Sequence, residues 1–344
     1  MSEISNKQGG IMVLGILRAA LLGAAGLGLG AGAALAAKPD VVIGYENNGA
    51  DPYMVSQGQG LFQKDLDANV TLKYFDSGPA AMSALASNSL QFMCGLGMPP
   101  FVAALTQGLP LAIIYNQERY TSAAGIAVRP GAGINSIADL KGKKIAIVQG
   151  SQANFELATF LAQAGIPFNA VHQINMSPPE MRVAYTTKAI DAAIVWDPVF
   201  DALQAQGAKV LKTDADLPRG ASSYNICIAN TNWVKAHPDL TVQFIKALDE
   251  GVTYTKQNPQ QALAIMAQQA GIDEKTAATE LKGYEIFSAK DQGSADVMGG
   301  GASSATGKTL SATSDVLMKI GRIMTPLKDP GAAVDASFAA KAAQ

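Results

Sequence analysis

Residues 75–100, FDSGPAAMSALASNSLQFMCGLGMPP, contain two predicted strand-to-helix turns built from small residues and prolines. In the first turn, Ser77 is a residue type that caps helices, and Gly78 lets the backbone approach a ligand closely. The second turn, LGMPP, repeats the arrangement at Gly97 and Met98. Such turns leave backbone N–H groups free beside the positive end of a helix dipole. They predict a site for a small anion that needs no lysine or arginine.

A third turn of this type follows the predicted strand KKIAIVQ, where Gly150, Ser151 and Gln152 precede a helical pattern. Strand-to-helix junctions need caps whether or not a ligand binds, so local structure alone explains any single turn. Two such turns in separate parts of the chain could hold one oxyanion between them. The sequence therefore favours an anion site shared by Ser77–Gly78 and Ser151–Gln152, without excluding the purely structural explanation.

Other candidate ligand contacts lie next to predicted strands: Glu46 and Asn47 follow the first strand, Trp196 and Asp197 end another, and Tyr224 and Asn225 begin a third. A tryptophan in this position can form the wall of a cleft, and Asp197 could pair with a cation. The alternative is a half-buried tryptophan and an aspartate that caps a helix. The polar residues after the first strand either contact ligand or only shape a turn.

The sequence offers little for catalysis or metal binding. His172 and His237 are the only histidines, and neither lies in a zinc or nucleophile motif. The segment 301–309, GASSATGKT, departs from the phosphate-binding loop because Ala302 stands where glycine is needed and no strand precedes it. We expect no metal, no cofactor and no enzymatic site.

The first 36 residues are predicted to be a secretory signal. Lys7 and Arg18 are their only basic residues, and a Gly- and Ala-rich run ends at the cleavage-type sequence Ala34-Leu35-Ala36. Met12 is an alternative start. About 308 residues follow, with 24 basic and 27 acidic side chains, which argues against a nucleic-acid-binding surface. We expect a periplasmic protein that works as a monomer.

The two cysteines, Cys94 and Cys227, lie in the apolar strand-like runs FMCGLG and NICIAN. Two buried free thiols are the favoured interpretation, because two strand residues rarely meet at bonding geometry by chance. A single disulfide is the alternative.

Short β-rich runs alternate with helical patterns between residues 41 and 229, and the pattern after residue 238 is helical alone. This alternation predicts an α/β fold with two lobes, each a mostly parallel sheet flanked by helices, and a ligand cleft between them. The predicted boundaries are 37–125 plus 223–344 for the first lobe, which includes the helical tail, and 126–222 for the second.

The chain resembles the solute-binding proteins of ABC importers with the periplasmic type II fold, and in particular the taurine- and aliphatic-sulfonate-binding proteins of the NMT1/THI5-like superfamily. The resemblance is carried by FDSG and ALAS at 75–78 and 84–87, LG-x-PP at 96–100 and VWDP at 195–198. The segment ADLKGKKIAI at 138–147 is common to many type II binding proteins and specifies less.

The resemblance implies capture of a small sulfonate in the cleft, closure of the lobes and delivery to an inner-membrane permease. It implies that the sulfonate is held by Ser77, Gly78, Gly97 and Met98 from the first lobe and by Ser151 and Gln152 from the second, with Trp196 against the ligand.

Two positions depart from the taurine-binding pattern, which has an aspartate at the position of Asn225 and a small residue at that of Asp197. If the carboxylate has moved across the cleft to Asp197, the ligand still carries an amine. If Asp197 only caps its helix, the ligand need not carry one. Taurine or a close analogue such as hypotaurine is the favoured ligand.

The sequence also allows other functions. The ligand could be an alkanesulfonate, nitrate, bicarbonate or a pyrimidine precursor, and the protein could report to a membrane sensor in place of a permease. An enzyme related to thiamine-pyrimidine synthesis is disfavoured, because neither a reactive histidine nor a cysteine-rich motif is evident.

Overall fold

The computed structural model describes residues 37–218 and 220–344. The predicted secretory signal at 1–36 lies outside the described residues. Residues 38–344 belong to one structural unit. No helix within the described ranges has both the length and the apolar character that a membrane span requires.

The described residues form two sheets and thirteen α-helices. The strands are β1 (Asp40–Tyr45), β2 (Asn69–Tyr74), β3 (Phe92–Leu96), β4 (Leu111–Tyr120), β5 (Ala124–Val128), β6 (Lys144–Ile147), β7 (His172–Asn175), β8 (Ala192–Trp196), β9 (Lys209–Thr213), β10 (Tyr224–Asn230) and β11 (Tyr284–Ile286). The helices are α1 (Pro52–Gly58), α2 (Leu61–Asp65), α3 (Gly78–Ala86), α4 (Met98–Thr106), α5 (Gln152–Gln163), α6 (Pro178–Thr186), α7 (Val199–Ala205), α8 (Thr231–Ala236), α9 (Pro238–Gln257), α10 (Pro259–Ala270), α11 (Glu274–Glu280), α12 (Ala305–Lys319) and α13 (Ser337–Ala342).

The first sheet has the strand order β11-β4-β10-β3-β1-β2, and the second has the order β7-β6-β8-β5-β9. The chain crosses from the first sheet to the second between β4 and β5, and returns between β9 and β10. This arrangement confirms the predicted two-lobe α/β fold. The exact lobe boundaries at 125/126 and 222/223 stay a prediction.

The prediction of mostly parallel sheets was wrong, because both sheets are mixed. β1 pairs in parallel with β2 and β3, but β10 is antiparallel to both β3 and β4. In the second sheet, β5 is antiparallel to β8 and β9. The antiparallel pairs arise largely at β5 and β10, the strands with which the chain enters the second sheet and re-enters the first.

The prediction of an all-helical tail was also wrong in one place. Residues 284–286, which lie in the part of the chain predicted to be helical alone, form β11 on the edge of the first sheet beside β4. In the same tail, α9 packs on the first sheet: the Phe244 ring stacks between Phe62 and Phe92, with ring centroids 5.6 and 4.1 Å away. Burial of this aromatic face fixes α9 to the sheet.

The expectation of two free thiols was wrong, because Cys94 and Cys227 form a disulfide. β3 and β10 are neighbouring antiparallel strands, in which Met93 pairs with Ile228 and Leu96 with Ile226. This register places the two cysteines side by side on one face of the sheet. The pairing depends on the strand order, which the sequence alone did not reveal.

Candidate functional site

Three helix N-termini meet where the two sheets face each other. α3 and α4 begin after strands of the first sheet, and α5 begins after β6 of the second. A Cβ atom added to Gly97, the residue before α4, would lie 2.8 Å from the Cβ atom of Gln152 at the start of α5. A Cβ atom added to Gly150 would lie 3.6 Å from Pro79 at the start of α3. The positive ends of three helix dipoles are therefore close together.

Backbone N–H groups at these three helix starts are free. Those of Ser77, Gly78, Gly97, Met98 and Gln152 donate to no acceptor in the part of the chain that the structure describes. The first N–H groups of a helix have no partner within the helix, so another group must satisfy them. A small oxyanion between the helices would satisfy them.

A cavity of about 380 Å³, part of it open to solvent, lies between these helix starts. Its lining combines glycines, aromatic side chains and acidic or amide groups. The lining residues are Glu46, Asn48, Gly78, Gly95, Gly97, Pro100, Tyr120, Ala124, Ser151, Gln152, Glu156, Trp196, Ser223, Tyr224 and Asn225.

Eight of the twelve residues singled out in the sequence line this cavity, namely Glu46, Gly78, Gly97, Ser151, Gln152, Trp196, Tyr224 and Asn225. Two others, Ser77 and Met98, lie at the starts of α3 and α4 but are not among the lining residues. Ser77 is buried before α3 and its hydroxyl donates to Asp76 at 3.3 Å, while the Met98 side chain is buried in the apolar core. These two residues can offer only N–H groups to a ligand.

The Ser151 hydroxyl is already used within the protein. It donates to the Val148 carbonyl at 2.8 Å and accepts from the Ala153 N–H at 3.2 Å, so it caps α5. Ser151 therefore shapes the turn that presents the Gln152 N–H, and its side chain has no proton left for a ligand.

Asn47 and Asp197 do not line the cavity. They lie on a separate, open surface pocket. Asp197 accepts the Asp201 N–H at 2.9 Å and so caps the start of α7, and Asn47 donates to the Ala270 carbonyl at 3.1 Å. Of the two roles considered for Asp197, the structure favours the helix cap.

Sequence reasoning missed several lining residues, among them Glu156, Tyr120 and Ser223. Glu156 lies four residues after Gln152 on α5, so helical periodicity places both on one face and could have revealed it. Tyr120 and Ser223 lie at the two points where the chain passes between the sheets, and the Tyr120 N–H donates to the Ser223 carbonyl at 3.0 Å. No local signal in the sequence marks that meeting.

A hydrogen-bonded acidic cluster lies at the second-lobe side of the cavity. The Ser223 Oγ lies 3.1 Å from Glu156 Oε1 and 2.7 Å from Asp214 Oδ1, and it accepts from the Gln152 amide at 2.8 Å. Burial raises the pKa of Glu156 to about 7, although its hydrogen bond with Asp214 lowers it in part. Burial raises the pKa of Asp214 well above its usual value, and the charge of Glu156 raises it further. At neutral pH this pair holds at least part of one proton.

A second acidic side chain, Glu118, is hydrogen-bonded to Asn225, one of the residues that line the cavity. The Asn225 amide donates to Glu118 Oε1 at 2.5 Å, and the Asn225 carbonyl accepts from the Tyr120 hydroxyl at 3.1 Å. Burial first, then the charge of Asp51, raises the pKa of Glu118 well above its usual value. Asn225 is thus held at both ends and presents no charge to a ligand.

The buried charged side chains in the described part of the chain are all carboxylic acids: Glu46, Asp51, Glu118, Glu156, Asp197, Asp214 and Glu280. No lysine, arginine or histidine is among the residues that line the cavity. Any positive charge near a bound molecule must therefore come from helix dipoles or from the molecule itself.

We expect the ligand-free protein to lose stability as pH rises from about 5 to 8. Burial raises the pKa of Glu46, Glu118 and Asp197 well above their usual values, and that of Glu280 to about 8. Because the folded state then binds more protons than the unfolded chain in this range, each unit of pKa elevation costs about 1.4 kcal/mol at higher pH.

Thermal denaturation at pH 5.5 and 8.5 checks this expectation. The melting temperature should fall by roughly 5–10 °C between the two. The melting temperature of Glu280→Gln should fall less over the same pH range. This variant retains an acceptor for the Ala50 N–H, which donates to Glu280 at 3.0 Å. A melting temperature that is constant or rises with pH would contradict the assignment of these groups as buried acids.

The sequence matches the NMT1/THI5 like family over residues 47–262, more than half of the chain. The chain belongs to this family. The taurine-binding periplasmic protein of Escherichia coli (strain K12) is 26% identical over 260 residues, which cover 74% of this chain and 80% of that protein. A putative aliphatic sulfonates-binding protein of Bacillus subtilis (strain 168) is 27% identical over 250 residues, 72% of this chain and 74% of that protein.

Solved structures of the same fold support the two-lobe architecture. The alkanesulfonate-binding protein SsuA from Xanthomonas axonopodis pv. citri, bound to MOPS, has a TM-score of 0.72 and 23% identity, covering 87% of this chain and 99% of its own. The desulfurization enzyme DSZB has a TM-score of 0.62 and 13% identity, covering 89% of this chain and 99% of its own. The fold thus serves binding proteins and at least one enzyme, so function must be argued from the site.

Proposed function

We propose that this protein is the solute-binding component of an ABC importer, and that it captures a small sulfonate, taurine or a close analogue, between its lobes. The observation that carries the proposal is the meeting of three helix N-termini, from both sheets, around one cavity with free N–H groups. The sulfonate-binding relatives support the chemical class.

The arrangement suits a sulfonate because its three oxygens can each accept N–H donors from a different direction. Gly78 and Gly97 offer N–H groups from the first lobe, and Gln152 offers one from the second. The rings of Trp196 and Tyr120 line the remaining wall, where the carbon chain of the ligand would lie. Backbone donors and helix dipoles stabilise a single negative charge without a buried cation.

Ligand capture is proposed to close the lobes. Since donors come from both lobes, the complete set surrounds the anion only when α4 and α5 approach each other, as they do here. Hinge closure around a ligand is a common motion of two-lobe proteins. In the closed form, the complex is proposed to dock on an inner-membrane permease in the periplasm, with the protein acting as a monomer after removal of its signal.

Binding, not catalysis, is the role that the site supports. Both histidines lie away from the cavity: His172 is exposed on β7, and His237 lies between α8 and α9. The described residues contain no cluster of three or more His, Cys, Asp or Glu side chains able to hold a metal ion. The Ser223 hydroxyl is hydrogen-bonded to Glu156 and Asp214, but neither histidine lines the cavity to act as a base beside it.

A thermal-shift panel tests the proposal. It comprises taurine, hypotaurine, ethanesulfonate, sulfate, nitrate, bicarbonate and an aminopyrimidine, the last because an acidic cavity also suits a pyrimidine amine. Taurine or hypotaurine at 100 times its Kd should stabilise the protein by about 2.7 kcal/mol, with little effect from the inorganic anions. The proposed ligand class would be contradicted if the aminopyrimidine alone stabilised the protein, or if none of the sulfonates did.

A further inference from the structure

We propose that Glu46 binds an ammonium group of the ligand, so that the site selects amino-sulfonates over sulfonates that lack an amine. This inference rests on the proposed function and names the chemistry at the second end of the ligand. It assigns the amine contact to the loop after β1, in a different place from Asn225 and Asp197.

Glu46 has the position that such a contact requires. It follows β1, its side chain is only 5% exposed, and it lines the cavity. Its Oε1 atom is buried and has no hydrogen-bond donor among the described residues. Oε1 lies 3.2 Å from where a Cβ atom on Gly78 would be, beside the start of α3.

The other buried carboxyls are either engaged or outside the cavity. Asp51 caps α1 through the Met54 N–H at 3.1 Å, and Asp197 caps α7. Glu118 and Glu280 do not line the cavity. Glu156 does, but it already belongs to the cluster with Ser223 and Asp214.

A buried carboxylate without a partner is unstable, so the group must either hold a proton or meet a cation. Burial, with a further contribution from the charge of Asp76, raises the pKa of Glu46 well above its usual value. No cationic side chain lines the cavity. A ligand ammonium would supply the missing partner and at least one hydrogen-bond donor to Oε1.

The position of Glu46 also constrains the ligand. Its carboxyl lies next to Gly78, one of the residues proposed to hold the sulfonate. The ammonium and the sulfonate must then be separated by a short spacer, such as the two carbons of taurine. A longer spacer would carry the ammonium past Glu46.

Calorimetric titration with taurine and with ethanesulfonate, which differs from taurine by loss of the amine, tests the inference in wild type and in Glu46→Gln. Wild type should bind taurine at least 10-fold more tightly, as expected for a charge-assisted hydrogen bond. In Glu46→Gln, taurine affinity should fall by about 10- to 100-fold while ethanesulfonate affinity is retained or rises. Glu250→Gln, at an exposed position on α9, is the matched control and should keep the wild-type preference.

The outcomes separate the two proposals. If wild type binds both sulfonates equally, or if Glu46→Gln keeps the preference for taurine, the role of Glu46 is overturned while sulfonate capture stands. If wild type binds neither, the proposed function itself is overturned. The comparison of the two ligands in wild type does not depend on how the variant folds, and the melting temperature of ligand-free Glu46→Gln should equal or exceed that of wild type.

Discussion

A Ser77→Asp variant is expected to lose sulfonate binding, with affinity reduced by about 1000-fold. Ser77 immediately precedes α3, is buried, and carries one of the free N–H groups beside Gly78. An aspartate there places a fixed carboxylate at the positive end of the helix, where it would satisfy the N–H groups itself and repel a second anion. Aspartate is also a favourable N-cap, so the helix should still form.

Ser83→Asp is the matched control for this variant. It adds the same charge to the same helix at an exposed position. Calorimetric titration with taurine should give near wild-type affinity for Ser83→Asp and no measurable heat for Ser77→Asp. Unchanged affinity in Ser77→Asp would remove the start of α3 from the site.

A Gly97→Ala variant is expected to bind taurine about 10- to 100-fold more weakly because it prevents complete closure of the lobes. Gly97 has φ −75° and ψ 164°, so alanine fits the backbone without strain. Its added Cβ atom, however, would lie 2.8 Å from the Cβ atom of Gln152 on the opposite lobe. Overpacking of this kind typically costs about 1–3 kcal/mol, and here the cost falls on the closed state alone.

Gly293→Ala serves as the control, since a Cβ atom there would meet nothing within 4 Å. Small-angle scattering with saturating taurine should give a larger radius of gyration for Gly97→Ala than for wild type and for Gly293→Ala. Equal radii together with wild-type affinity would contradict the closure mechanism. The melting temperature without ligand should be similar in all three proteins, because the contact lies between lobes.

The sequence predicted the ten strands from β1 to β10 because their apolar, β-branched runs are bounded by glycine and polar residues. It predicted helices after residue 238, and α10 carries two helix signals, since a proline begins it and a glycine follows it. It did not predict β11, which has three residues and exists only because β4 offers it an open edge. The strand order, and with it the Cys94–Cys227 disulfide, depends on contacts between residues far apart in the chain.

For the candidate site too, the sequence predicted what local signals mark and missed what depends on contacts between distant residues. Turns such as those at Gly78 and Gly97 have local signatures, so residue types alone pointed to the anion end. Residue types alone do not distinguish a ligand contact from a helix cap at Asp197, because the distinction depends on the Asp201 N–H that donates to it. The isolation of the Glu46 carboxyl is a property of its surroundings, and no sequence pattern expresses it.

A crystal structure of the protein with bound taurine tests the central claim most directly. The account predicts one taurine per chain in the cavity between the lobes, with its sulfonate oxygens within hydrogen-bond distance of the N–H groups of Gly78, Gly97 and Gln152. Taurine bound elsewhere, for example in the open pocket beside Asp197, or with its sulfonate away from all three helix starts, would contradict it.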